Sequence, residues 1–337
     1  MKGIVCAEPY RLEMRAFDEP EPSPGHAIVR IRRVGICGTD LHAFKGNQPF
    51  FTYPRVLGHE LAGTIERIEP DASGFSPGDP VSVIPYLHCG ECIACRNGRT
   101  NCCVEMKVLG VHVDGGMRER IRVPVSHLIG TKGLTLDQSA VLEPFSIGAH
   151  AVRRSALQSG ETALVIGAGP IGLGVMAFAK LRGARVIAMD VNEERLEMCR
   201  TWAKVDHTVN ALEQPLEEVR KLTGGDFPTA VFDATGNAGS MNGAFAYVAH
   251  GGRLVYVGLV KADITFHDPE FHKREMTVTG SRNATREDFD HVASAIRDGG
   301  IRVDRFISHR CAFDDVVGRF ETWMNPDSKV IKAMIEL

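Results

Sequence analysis

Two groups of residues in this sequence have the types and spacing of metal ligands. The first is Cys89-x2-Cys92-x2-Cys95 followed by Cys102 and Cys103, which places five of the nine cysteines within fifteen residues. A secreted disulfide framework scatters its cysteines, whereas a tight cluster suits a metal. Four thiolates close tetrahedrally around zinc and leave no position for a substrate, so a structural role is expected. The fourth sulfur is Cys103 or its neighbour Cys102. The second group is spread over Gly35-Ile36-Cys37-Gly38-Thr39-Asp40-Leu41-His42, Gly58-His59-Glu60 and Glu143-Pro144. A thiolate, an imidazole and carboxylates suit a zinc ion with an open coordination position. Such an ion is a Lewis acid that eases ionisation of an alcohol as hydride leaves its carbon. Thr39, two residues after Cys37, and His42 are candidates to carry the released proton toward water. The plainer readings are a turn-forming hydroxyl and a structural histidine. Asp40 either orients a ligand or caps a turn.

A third motif would supply the hydride acceptor. Gly167-Ala168-Gly169-Pro170-Ile171-Gly172 matches G-x-G-x-x-G, between a predicted strand and a predicted helix. The glycines allow a tight turn and close approach of a pyrophosphate, which the helix N-terminus favours. Asp190 follows eighteen residues after Gly172, at the end of the next predicted strand. A carboxylate there accepts from a ribose 2′-hydroxyl and repels a 2′-phosphate, so NAD(H) is expected over NADP(H). Arg195 argues the other way, since a nearby arginine accommodates that phosphate.

The elements that must position these residues change character along the chain. The first third carries short β-type runs, 27–36 (AIVRIRRVGI), 61–70 (LAGTIERIEP) and 80–86 (PVSVIPY), divided by Pro and Gly turns. An irregular, largely antiparallel domain is expected there. From about residue 148 apolar strands alternate with helices: strands over 162–167, 185–190, 229–234, 253–258 and 276–280, helices over 170–181 and 193–203. That alternation predicts βαβ units and a parallel sheet buried on both faces. Beyond about residue 285 the pattern is less regular, with a helix over 287–298 and a final strand over 330–337.

Bulk properties exclude several classes. A chain of 337 residues suggests about two domains, and 44% apolar with 24% charged residues is an ordinary globular balance. The net charge of −3, with no basic stripe by the cysteine cluster, speaks against nucleic acid and anionic membranes as partners. No apolar run is long enough to span a bilayer. The opening MKGIVCAEPYRLEM meets charge by Glu8 and lacks a signal-like apolar core, so a cytoplasmic location is expected. Cys6, Cys199 and Cys311 stand alone and read as small buried hydrophobes.

Together GICGTDLH, GHE, CGECIACRNGRTNCC, EPFSIGAH and GAGPIG resemble the zinc-containing medium-chain alcohol dehydrogenases over essentially the whole chain, within their polyol and sugar-acid branch. The resemblance implies a GroES-like catalytic domain (1–147), a Rossmann domain doubly wound around a parallel sheet (148–285) and a C-terminal return to the catalytic domain (286–337). It places Cys37, His59, Glu60 and Glu143 at the catalytic zinc, the glutamates direct or through water. It selects Cys103 with Cys89, Cys92 and Cys95 for the structural zinc. Val257 and Gly258 fall beside the nicotinamide, and Arg282 falls where sorbitol dehydrogenase-like enzymes put an arginine facing the substrate. A tetramer or dimer is implied. The run from Asp114 through Gly116 to Arg118 departs from many relatives, which suggests that His112, Arg118 or Arg282 holds a substrate carboxylate, arginine through its two-pronged fork; for Arg118 a solvated charged loop is the plainer reading. The expected activity is hydride transfer between NAD(H) and a secondary alcohol of a polyol or sugar acid. A threonine-type or simple secondary alcohol is the alternative substrate. A non-catalytic NAD-binding sensor is the remote alternative, but it would need no open metal position.

Overall fold

The computed structural model describes residues 1–48, 51–69 and 74–337, so Pro70, the last residue of one predicted strand, lies outside the described residues. The chain divides into two compact units, Met1–Glu143 with Thr285–Leu337, and Pro144–Ala284. In the first unit the strands are β1 (Lys2–Glu8), β2 (Arg11–Ala16), β3 (His26–Ile36), β4 (Arg55–Val56), β5 (Glu60–Ile68), β6 (Pro80–Val83), β7 (Tyr86–Leu87), β8 (Lys107–Val108), β9 (Arg120–Pro124) and β10 (Leu128–Gly130). The second unit holds β11 (Thr162–Ile166), β12 (Arg185–Asp190), β13 (His207–Asn210), β14 (Ala230–Asp233), β15 (Arg253–Tyr256) and β16 (Thr277–Gly280). The chain then re-enters the first unit with β17 (Ile307–Ala312) and β18 (Lys332–Glu336).

The main sheet of the first unit runs β10-β6-β5-β3-β18-β17, with β9 also on β3. Every pairing in it is antiparallel except β17 with β18. Strand β3 is central because Val29, Ile31 and, beyond a register shift at Ile31–Arg33, Val34 are apolar and buried in one core with Leu61, Ile65, Val81 and Val83. The predicted strand 80–86 breaks in two. Pro85 has no N–H for a ladder, so β6 ends at Val83 and the chain re-enters as β7. Strands β7 and β8 pair with each other and close the base of the loop that carries the cysteine cluster.

The second unit is a wholly parallel sheet in the order β13-β12-β11-β14-β15-β16. This is the doubly wound order in which the first strand lies at the topological switch point. The central strands β11 and β14 read as apolar runs because both faces are covered: Ala163 to Val165 and Ala230 to Phe232 are fully buried, whereas the edge strand β16, expected to be buried as well, is largely exposed. The predicted helix 193–203 is α-helical only to Met198. A wider π turn over Cys199–Ala203 follows and turns both end residues into the core. Cys6, Cys199 and Cys311 are buried, as expected of small hydrophobes. Among the described residues, no helix is long and apolar enough to cross a membrane.

Candidate functional site

Cys37, at the end of β3, His59 and Glu60, at the start of β5, converge: donor atoms of the three lie within 4.8 Å of one another. Asp40 links the two segments. In the first turn of helix Gly38–Phe44, it accepts from the Cys37 amide on Oδ2 (2.9 Å) and from the Gly58 amide on Oδ1 (3.1 Å). His59 Nδ1 lies 3.8 Å from Asp40 Oδ1. Asp40 therefore orients the ligand segments, one of the two readings of the sequence, and its caps are part of how it does so.

Both glutamates are buried, and each has one oxygen engaged. Glu60 Oε1 accepts from the Lys332 ammonium, which is 2% exposed and also donates to Ile36 O at 3.0 Å. The Glu60 side chain reaches Lys332 on β18 by passing over β3 at Gly35, its register partner, where an added Cβ would lie 2.0 Å from Glu60 Oε2. Glu143, in the first turn of helix Leu142–Arg154, accepts on Oε1 from the Tyr86 hydroxyl. Sequence reading missed Gly35, Lys332 and Tyr86. A single lysine inside the apolar run of β18 was a signal for Lys332; nothing local marked the other two.

The remaining donors fit a metal ion. Glu60 Oε2 and Glu143 Oε2 are both buried without a hydrogen-bond partner, a cost that folded proteins accept where a ligand satisfies them. Burial pushes the Glu143 carboxyl up to about 7. Burial opposes charge on His59 and Lys332, yet the negative groups around them (Asp40, Cys37 and Glu143 for the imidazole; Glu60, Cys37 and Glu143 for the ammonium) raise both. Burial and Glu143 raise Tyr86 well above the phenol range. The pocket is short of positive charge, which a divalent cation would supply. Glu143 falls outside the set of three whose donor atoms lie within 4.8 Å of one another.

The four sulfurs of Cys89, Cys92, Cys95 and Cys103 also lie within 4.8 Å of one another, while Cys102 is exposed. The amides of Cys89 and Cys92 point at Cys103 Sγ (3.3 Å) and Cys89 Sγ (3.4 Å), as donors to thiolates do. Amide donation from Cys95 and Val104 lowers Cys92 to about 6, whereas burial and the neighbouring sulfurs raise Cys95 to about 12. Crowded thiolates cannot all ionise without a cation among them. The set fits a closed structural zinc site.

In the second unit Gly167 follows β11 with φ of +95°, and Gly169 caps the twelve-residue helix Pro170–Leu181, with Pro170 and Ile171 in its first turn. A Cβ on Gly172 would lie 1.8 Å from Gly167 O, so the turn closes only on glycine. Asp190 Oδ2 accepts from the Ala168 amide at 2.6 Å and Oδ1 from Asn192 N at 2.9 Å, which fixes its carboxylate beside the turn. The Val257 and Gly258 amides both donate to Asp233 O. Arg195 is exposed; its amide donates to the Asn192 cap.

The remaining predicted residues are placed as follows. Thr39 Oγ1 lies 3.6 Å from Cys37 Sγ, and His42 is exposed one turn further along the helix. His112 Nδ1 accepts from the Val108 amide at 3.1 Å, in a loop whose Gly110 packs on Gly58. Arg118 bridges to Gly3 on β1, with Asp114 as its charged neighbour and its Nε buried without a partner. Arg282 is exposed just beyond β16, in the second unit.

The model of the alcohol dehydrogenase GroES-like domain matches residues 23–132, and that of the zinc-binding dehydrogenase matches 170–298. The chain is 43% identical to L-galactonate-5-dehydrogenase of Escherichia coli K12 over 99% of its own length and 98% of that protein's. It is 31% identical to 2-dehydro-3-deoxy-L-galactonate 5-dehydrogenase of Pseudoalteromonas atlantica, over 94% and 92% of the two chains. The NADH complex of an alcohol dehydrogenase from Escherichia coli CFT073 superimposes with a TM-score of 0.94 at 28% identity, over 100% and 99% of the two chains. With its Cys37–His59–Glu60 cluster, its four-cysteine cluster and its dinucleotide fold, the chain belongs to the zinc-containing medium-chain alcohol dehydrogenases, enzymes that use zinc and NAD(H) to oxidise CH–OH groups.

Proposed function

We propose that the substrate is the secondary alcohol of a sugar acid, an aldonate of the L-galactonate type oxidised at carbon 5, with NAD as acceptor. The observation that carries the reading is the convergence of Cys37, His59 and Glu60, each bearing a donor for a cation, in a chain 43% identical over 99% of its length to an L-galactonate-5-dehydrogenase. Zinc held by Cys37, His59 and the free oxygens of Glu60 and Glu143 would supply Lewis acidity that favours the ionised alcohol, while NAD supplies the hydride acceptor.

The chain's own groups do the rest. Asp40 holds Cys37 and His59 in one geometry through the amides of Cys37 and Gly58. Thr39, two residues after Cys37, relays the hydroxyl proton of the substrate, accepting it as its own hydroxyl proton is given up toward the exposed His42, which passes a proton to water. Gly167, Gly169, Gly172 and the first turn with Pro170 and Ile171 cradle the pyrophosphate. Asp190 accepts from the ribose hydroxyl, with Arg195 in the exposed turn beyond. Val257 and Gly258 border the nicotinamide. An arginine, Arg118 or Arg282, or His112, pairs with the carboxylate of the substrate. The protein works as a homo-oligomer.

The experiment follows NAD reduction against aldonates, neutral polyols, threonine and simple alcohols, with and without a chelator. Activity on an L-galactonate-type aldonate that the chelator removes is the expected result. Equal turnover of neutral polyols such as sorbitol would remove the basis for a carboxylate-binding residue.

A further inference from the structure

Tyr86, like Lys332, is a buried group beside the cluster that the mechanism above does not use, and its position is fixed from several directions. Its peptide carbonyl accepts from His127 Nε2 at 3.3 Å, and its ring meets the ring of Phe289 edge-on, 6.3 Å between centroids. Its register partner across the β7–β8 ladder is Val108. The ring is 4% exposed, so the hydroxyl cannot turn to solvent, and it donates to Glu143 Oε1.

That bond decides what Glu143 offers. A free carboxylate rotates and presents either oxygen. Here Oε1 is occupied, and Oε2 is left buried with no partner. Glu60 is arranged the same way from the opposite charge type, with Lys332 on Oε1 and Oε2 unpartnered. The two carboxylates differ in what they can give. Lys332 brings a counter-charge to Glu60, whereas the Tyr86 hydroxyl holds Glu143 by a hydrogen bond without one.

We infer that Tyr86 is a positioning residue of the catalytic metal site: its hydroxyl locks the Glu143 carboxylate so that Oε2 serves the zinc ion. The inference rests on the zinc reading of the cluster. Groups that hydrogen-bond to ligands in this way usually change metal affinity by about 10–100-fold when removed. Tyr86 also stands three residues before Cys89, on the strand that closes the base of the four-cysteine loop. The folded state of that loop therefore bears on the site through this side chain.

The test is zinc affinity at the catalytic site, measured by competition with a chromophoric chelator, in the full-length protein and in Tyr86→Phe, Glu143→Gln, the double variant and Cys37→Ser. The absorption of the cobalt(II) forms is a second readout. Tyr86→Phe is expected to weaken catalytic-site zinc about 10–100-fold and shift the cobalt spectrum, while the structural zinc stays bound. On the Glu143→Gln background the same change should add little, because Tyr86 acts through that carboxylate. Wild-type affinity in Tyr86→Phe, or an additive loss in the double variant, overturns the inference while Cys37→Ser still loses its zinc. If Cys37→Ser keeps both ions, the zinc reading itself fails, and the inference with it. Should the Phe variant not fold, Tyr86→His moves the donor; wild-type affinity there overturns the inference equally.

Discussion

Gly35 and Glu60 face each other across the β3–β5 ladder, and the glutamate occupies the space that a side chain on Gly35 would fill, its Oε2 only 2.0 Å from an added Cβ. Glycine is required there for room, since its φ is not in the left-handed region. Gly35→Ala should displace Glu60 from Lys332, lower the melting temperature by the equivalent of about 1–3 kcal/mol of overpacking and weaken catalytic zinc. A melting curve with zinc content per chain checks both; unchanged values in both would show that Glu60 adapts freely.

Lys332 is expected to matter more for folding than its place near the C-terminus suggests. Lys332→Met leaves the Glu60 carboxylate buried without its counter-charge, which costs about 3–5 kcal/mol. Adding Glu60→Gln should recover much of that loss, because an apolar or neutral pair needs no compensation. Denaturation midpoints of the two single variants and the double variant measure the coupling.

Removal of one sulfur from the four-cysteine loop separates the two metals. Cys95→Ser should lower zinc from two ions per chain to one and make the loop sensitive to proteolysis, since a closed tetrahedral site needs all four thiolates. Mass spectrometry under native conditions counts the ions. Retention of two would place the second ion elsewhere.

Cofactor choice is expected to be set at Asp190. Its replacement by Ser removes the carboxylate that repels a 2′-phosphate and leaves the exposed Arg195 to attract one. Efficiency with NADH should fall about 10-fold or more, on the scale of one lost charge-assisted hydrogen bond, and the ratio of NADPH to NADH efficiency should rise. Steady-state kinetics with both cofactors decide it.

Acid should loosen the first unit before the ordinary carboxylate range is reached. Burial, helped by His88, lowers His127 to about 4. Its folded value is below its unfolded one, so the neutral ring's contribution is complete above about 6.5 and is lost as pH falls through about 4, amounting to about 3 kcal/mol at most. His127→Gln should flatten the fall in melting temperature between pH 6.5 and 4. An unaltered pH profile would show that another group controls acid loosening.

Much of this protein is legible in local sequence. Residues Cys89 to Cys103 announce a metal because their ligands are close in the chain, and GAGPIG announces a dinucleotide turn because its geometry is satisfied within six residues that only glycine can close. The alternation of apolar strands and helices from residue 162 to residue 280 likewise determines a parallel sheet, since burial on both faces is written into the central strands β11 and β14, though not into the exposed edge strand β16. The choice of Cys103 over Cys102 was open in the residues themselves, and the folded loop decided it by burying one and exposing the other. Tertiary structure alone decided the setting of the carboxylates. Lys332 meets Glu60 across 272 residues, and Tyr86 meets Glu143 across 57. No local periodicity carries such pairings; they exist because β18 returns to lie beside β3, Gly35 leaves a gap between them, and a buried charge or hydroxyl must find its partner wherever the fold supplies one.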